Sequence, residues 1–224
     1  MQPSQSVGCD FLLFTDEPRK LPREYGWKVK KIRNNSVKHL NGPLLSRYPK
    51  ILSHLFFSAP PKKPVLRLWQ SLNGKKHYEY TIYIDANAQI LTSNFAQEAI
   101  NYLKEYQIAL FIHPDRDCIY DEGVVLENDF RFKGKGYPFL QQIESYRDQG
   151  YPEHNGLLAC GVIVRNTSLS ILSKVENDWW NEVNRWTFRD QLSFPYVLWK
   201  NKYKCDMIQL NLWNNHLVKF VPHL

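Results

Sequence analysis

Short apolar runs that stop at a polar turn residue alternate along this chain with stretches of helical spacing, and that alternation most narrows the fold. A strand presents side chains to two faces with period two, and a helix buries one stripe with period 3.6. Segments of both kinds interleaved in one chain bury their apolar faces by layering helices on a sheet. Residues 11–15 (FLLFT) read as a strand ending at Asp16, and residues 27–32 (WKVKKI) as a second. Residues 80–84 (YTIYI), rich in β-branched and aromatic side chains, form the clearest strand and run directly into Asp85-Ala86-Asn87. Residues 109–113 (ALFIH) and 156–165 (GLLACGVIVR) complete the strand set.

Between them, residues 44–57 place apolar side chains at helical spacing, with Pro49 expected to confine the regular helix to the residues after it. Residues 59–64 (APPKKP) break the chain into a loop, and residues 114–122 read as a polar run. Residues 94–106, 139–149, 169–186 and 191–200 read as helices. With no repeat, low-complexity tract or linker, the expectation is a single α/β domain over residues 1–224, with a mainly parallel central sheet flanked by helices; such a domain could also be part of a longer polypeptide.

Composition excludes other classes. With 43% apolar and 23% charged residues the chain buries a core and is neither disordered nor fibrous. The longest apolar run, residues 156–164, is too short to span a bilayer, so no transmembrane segment is expected. Cys9, Cys118, Cys160 and Cys205 are widely spaced and form no C-x-x-C pair, which suits a reducing compartment and a cytoplasmic location. A net charge of +7 favours an anionic partner without naming it. Basic residues cluster at Arg19, Lys20, Arg23, Lys28, Lys30, Lys31 and Arg33, and again at Lys62, Lys63, Arg67, Lys75 and Lys76. One reading of these clusters is a nucleic-acid or polyanion-binding module, but no aromatic RNA-binding strand or basic recognition helix accompanies them.

Ligands of open α/β sheets sit beyond the carboxyl ends of strands. Two strands here end in an acidic residue, Asp16 and Asp85. Asp85 with Asn87 offers two oxygen-bearing side chains in one turn, which suits a hard divalent cation that also holds a diphosphate, although Asp and Asn favour turns for their own backbone bonds too. In SRYPKILSH, Arg47, Lys50 and His54 fall at i, i+3, i+7, on one helix face. That face is either solvated or grips a phosphate.

The order FTD, a Trp-containing strand, R-x-x-K-x-x-x-H, IDAN, HPDRDCIYDE, YPEHNGLLACGVIVRN and RDQLSF resembles the GT-A-type glycosyltransferases of the TOD/MUCI70-like hexosyltransferase family, over most of the chain, residues 10–196. The resemblance implies transfer of a hexose or deoxyhexose from a nucleoside diphosphate sugar, most simply a UDP-sugar, to a hydroxyl of a glycan or glycoconjugate, with Mn2+ or Mg2+ as cofactor and no nucleic-acid partner. Carried onto this chain, it puts Asp85, Ala86 and Asn87 at the metal motif and Thr15 and Asp16 near nucleobase and ribose. Arg47, Lys50 and His54 then lie toward the diphosphate, and Gly156, Cys160 and Gly161 along the donor sugar. His113, Arg116 and Asp117 fall on the acceptor or sugar hydroxyls, and Asp190 and Gln191 beside the anomeric carbon. A late histidine, His216 in preference to His223, is implied as third metal ligand. Trp179, Trp180 and Trp186 are expected near an acceptor ring. The match of CGVIVRN with a later D-Q leans toward retention of anomeric configuration. Asn87, standing where an acidic residue is usual, lowers the site's charge and predicts weak metal binding before nucleotide arrives. That substitution, with a start just past the family's first strand, also admits a degenerate homologue that binds a glycan without turning it over.

Overall fold

The computed structural model describes residues 4–5, 8–16, 27–32, 37, 39–40, 42–57, 77–168 and 170–221. Arg19, Lys20, Arg23, Arg33, the basic cluster at residues 62–76, the loop 59–64 and His223 lie outside the described residues.

The central sheet has the order β3 (Tyr80–Ile84), β6 (Leu158–Asn166), β5 (Ile108–Ile112), β7 (Asp206–Ile208). β1 (Leu12–Thr15) pairs in parallel with β2 (Lys28–Lys31), and β4 (Ala88–Ile90) pairs antiparallel with β8 (Val218–Phe220). The α/β class holds, but the central sheet is mixed rather than mainly parallel: β6 is antiparallel to both β3 and β5, and only β5–β7 is parallel. The cause is the excursion between β5 and β6. It carries α3 (Ile119–Asn128) and α4 (Phe139–Asp148), which pack on each other, and it returns to the strand end it left, since Ile112 pairs with Leu158. An excursion that comes back to its own end makes an antiparallel neighbour, whereas a crossover makes a parallel one.

Alternate residues of the two inner strands feed separate clusters. Ile108, Leu110, Cys160 and Ile163 join the larger core with α1 (Gly42–Ile51), α3, α4, α5 (Ser170–Arg185) and α6 (Asp190–Lys200). Ala109, Phe111, Ala159, Val162 and Val164 face the smaller one with α2 (Phe95–Ile100), β4 and β8. A strand buried on both faces reads as a continuous apolar run, as GLLACGVIV does.

Three helix boundaries differ from expectation. α1 begins at Gly42 and passes through Pro49, ending at Ile51 before a 3-10 turn at Ser53–Leu55. The predicted helix 94–106 stops at Ile100, because the Asp206 carboxylate accepts the backbone N–H groups of Lys104 (2.9 Å) and Tyr106 (2.9 Å) and draws the chain out of helix. α3 occupies part of the run read as polar. Its buried stripe includes Ile119, Tyr120, Gly123 and Leu126, and a Cβ at Gly123 would stand 2.8 Å from Ile143.

Candidate active site

At the end of β3, side chains two apart share a face. The Tyr83 hydroxyl therefore reaches the Asp85 carboxylate and donates to Oδ1 at 2.7 Å. The Asp85 N–H donates to the Gly161 carbonyl (2.8 Å), and Ala88 N–H closes the turn onto the Asp85 carbonyl (2.9 Å), leaving Ala86 exposed at its tip. Asn87 is tied to Val221 twice, through its backbone carbonyl (2.9 Å) and its side-chain amide nitrogen (3.1 Å).

Opposite Asp85 the register of β6 against β5 jumps. Leu110 pairs with Ile163 but Phe111 pairs with Ala159, so Cys160, Gly161 and Val162 bulge from the ladder. Bulges re-aim the backbone beside sites, and this one brings Cys160 and Gly161 under the Asp85 turn. A side chain at Gly161 would meet the Phe220 ring at 2.8 Å and Asp85 Oδ2 at 3.4 Å. The Cys160 thiol is pushed well above its ordinary pKa, first by burial and then by Asp190. It is packing, not a nucleophile.

α1 supplies the cations. Lys50 is 1% exposed, and its ammonium lies 2.6 Å from Asp190 Oδ2 and 3.4 Å from Asp85 Oδ1, above the Tyr83 ring at 4.9 Å. Burial alone would lower its pKa, but Asp190, Tyr83 and Asp85 outweigh that and raise it, so Lys50 stays charged. Arg47 reaches the same Asp190 oxygen through Nε at 3.2 Å, and it too is raised against the effect of burial. Asp190 opens α6. Burial would raise its pKa, but Lys50 and Arg47 hold it below the usual carboxylate range. The buried Trp179 fixes this corner by donating Nε1–H to the Asp190 carbonyl (3.2 Å) and Ser193 Oγ (3.1 Å).

The predicted cationic face divides. Arg47 and Lys50 turn to Asp190, whereas His54 turns to the buried Glu176, which accepts from His54 N–H (3.0 Å) and Ser53 Oγ (2.6 Å) and lies 2.5 Å from His54 Nδ1. Arg165 completes this group, with Nε 2.8 Å from Glu176 and Nη2 donating to the Lys50 carbonyl at 2.8 Å. A buried ion pair thus holds the backbone that presents Lys50, and His54 belongs to that support rather than to a phosphate grip. The helix ends at Ile51, so i+7 periodicity no longer places residue 54.

Other predicted residues have surroundings of their own. Gly156 has φ +86, a conformation that suits glycine. His113 and Arg116 form a second group: His113 Nδ1 accepts the Arg116 N–H (3.2 Å), and Arg116 Nε pairs with buried Glu122 at 2.7 Å. Arg189 lies 3.9 Å from the same carboxylate and donates to Gln191 Oε1 at 3.3 Å, linking this group to the start of α6. Asp117 turns away to the exposed His154 (2.9 Å). Thr15 ends β1 and Asp16 follows it, and Phe14 of that strand packs on Phe56 and Phe57 just past His54. Tyr83, Glu122 and Arg189 join the site although the sequence reading gives them no role, even with Glu122 closing the run HPDRDCIYDE and Arg189 opening RDQLSF. Tyr83 is readable from its two-residue offset to Asp85, but Glu122 is joined to Arg189 only by the fold.

Two expectations fail. His216 binds Glu98 at 2.7 Å and precedes β8 at the end distant from Asn87, since Ala88 pairs with Phe220 and Ile90 with Val218. Trp179 is fully buried and Trp180 packs on Tyr48, so Trp179 stacks on no acceptor ring.

Among the described residues, then, a hard cation at the turn would take Asp85 Oδ2 and the Asn87 amide oxygen, while Oδ1 already serves Tyr83 and Lys50. That partial donor set fits an ion whose remaining shell comes from diphosphate oxygens and water.

Residues 72–223 match the family described as the TOD1/MUCI70, glycosyltransferase-like domain. No curated protein matches the chain. Among solved structures, the apo WbbM bifunctional glycosyltransferase is similar over 84% of this chain and 29% of that one, at 12% identity and TM-score 0.37. Apo mouse xyloside xylosyltransferase 1 is similar over 82% of this chain and 63% of that one, at 12% identity and TM-score 0.36. The chain spans less than two thirds of either. All four cysteines are free, and no helix among the described residues is long and apolar enough to cross a membrane.

Proposed function

Because the chain belongs to the TOD1/MUCI70 glycosyltransferase-like domain family, we propose that it transfers a hexose or deoxyhexose from a nucleoside diphosphate sugar, with uridine as the nucleoside, to a hydroxyl of a glycan or glycoconjugate. The observation that carries this reading is the buried Lys50 ammonium, held between Asp85 at the end of β3 and Asp190 at the start of α6. A fixed, dehydrated cation beside a strand-end carboxylate is what a departing diphosphate requires.

The bond from the anomeric carbon to the diphosphate oxygen breaks, and Lys50 and Arg47 stabilise the charge growing on that oxygen. Mn2+ or Mg2+, held by Asp85 and Asn87 together with the diphosphate, would offset the same charge. The bulged backbone at Cys160 and Gly161 lets the donor sugar lie close. Asp190, kept ionised by two cations, is a weak base. That favours retention: a diphosphate oxygen takes the acceptor proton while Asp190 keeps Lys50 and Arg47 in place and Gln191 faces the sugar. His113, Arg116 and Arg189 form the acceptor wall. His113 is biased to its neutral form, chiefly by burial; its Nδ1 already accepts backbone N–H groups, so Nε2–H is left to donate to a sugar oxygen.

A thermal-shift series with UDP- and GDP-sugars, each with and without Mn2+, tests the donor. Stabilisation by one nucleotide class that grows with metal supports the reading. Equal, metal-independent responses to every nucleotide contradict it.

A further inference from the structure

Away from Asp85, three side chains of different donor chemistry converge where α3 begins. The Cys118 sulfur, an Asp121 carboxylate oxygen and an imidazole nitrogen of His154 all lie within 4.8 Å of one another. Cys118 is buried in the N-cap position yet makes no capping hydrogen bond, and Asp121 sits exposed in the first helical turn. His154 arrives from the segment before β6 with φ +51, a backbone conformation few non-glycine residues adopt. The Asp117 carboxylate lies 2.9 Å from His154 Nδ1.

We propose that Cys118, Asp121 and His154 form a zinc site with water in the fourth position, separate from the hard-cation turn at Asp85. With bonds of about 2.0–2.3 Å, tetrahedral ligand atoms stand about 3.3–3.8 Å apart, so the three donors need close by only about an ångström, which two exposed side chains can supply. Asp117 on Nδ1 leaves Nε2 to the metal and acts as the outer carboxylate that orients a ligating imidazole. The thiol releases its proton to solvent on binding, and no redox change occurs. The N-terminus of a helix disfavours a cation, so binding falls to the two anionic ligands. A thiolate among them selects Zn2+ over Mg2+ and Mn2+. The ion would pin the segment before β6 to the start of α3, and with it the turn bearing His113 and Arg116.

The test uses the full chain, reduced, stripped with chelator and titrated with Zn2+ or Co2+ alone. A single retained metal and a cobalt–thiolate charge-transfer band are expected. His154→Ala and Asp121→Asn, both at exposed positions where folding is not at stake, lose the metal, and Cys118→Ser loses the band. Asp117→Asn weakens binding about 10- to 100-fold. Asp85→Ala and Cys9→Ser keep the site. Failure of the unsubstituted chain to retain metal, retention undiminished in His154→Ala, or loss in Asp85→Ala overturns the proposal.

Discussion

Lys50 decides the charge balance of the site. Two carboxylates converge on one buried ammonium, and only Asp190 has a second cation, Arg47, within ion-pair distance among the described residues. Replacing Lys50 with Met leaves Asp190 buried beside Arg47 alone. Removing one partner of a buried pair costs about 3–5 kcal/mol, and losing one preorganised charge on the leaving group slows catalysis by about 100- to 1,000-fold. Urea denaturation and kcat on the accepted donor measure the two effects separately. Glu176 has a distinct signature. Burial would raise its pKa, but Arg165 and the hydrogen bonds from His54 and Ser53 hold the carboxyl below the ordinary range. A carboxyl depressed in the folded state stabilises fully above the unfolded value, about 4.3, and loses that contribution as pH falls through the lower folded value. Urea midpoints taken from neutral to acid pH should therefore drop for the native chain below about pH 4. Glu176→Gln should be less stable at neutral pH and show a flatter acid limb. Parallel curves for the two proteins would refute the role given to Glu176.

The β6 bulge is the element that joins the sheet to the chemistry. Gly161→Ala places a methyl 2.8 Å from Phe220 and 3.4 Å from Asp85 Oδ2. Either β8 or the Asp85 turn must shift, at a cost of about 1–3 kcal/mol and with reduced turnover. Unchanged stability and rate would show that the close approach at Gly161 is slack. β8 itself carries a negative result: His216→Ala should leave metal activation unchanged, since His216 pairs with Glu98 at the far end of the strand. A lost Mn2+ response in that variant would restore it as a ligand. Legibility in the sequence depends on how local each feature is. YTIYI before Asp85 is readable because β-propensity and the strand stop are local, and α6 is readable from apolar spacing. Strand direction is not, because it depends on whether residues 113–157 return to the end they left, a property of the packing of α3 on α4. α3 is hidden by its acidic first turn, Asp121 and Glu122, and the pairing of Arg47 and Lys50 with Asp190 spans too much sequence for any motif to imply.

At the scale of the molecule, the surplus positive charge takes on a division of labor. Arg47, Lys50, Arg116 and Arg189 are drawn to Asp85, Glu122 and Asp190, while Lys28, Lys30 and Lys31 stand exposed on β2. Much of the aromatic content is core: Trp179 lies against Phe194, and Tyr146 stacks on Tyr196 at 3.8 Å. The sheet buried on both faces fixes the ends of β3 and β6, and α1 and α6 bring their charges to those ends. In the proposed reaction this convergence moves a sugar from a nucleoside diphosphate. The most direct measurement is nucleoside diphosphate release from a panel of sugar nucleotides with Mn2+, comparing the native chain with Asp85→Ala. Turnover of one donor class by the native protein and its loss in Asp85→Ala is the predicted result. No turnover or binding of any donor, with Asp85→Ala indistinguishable from the native chain, would contradict it.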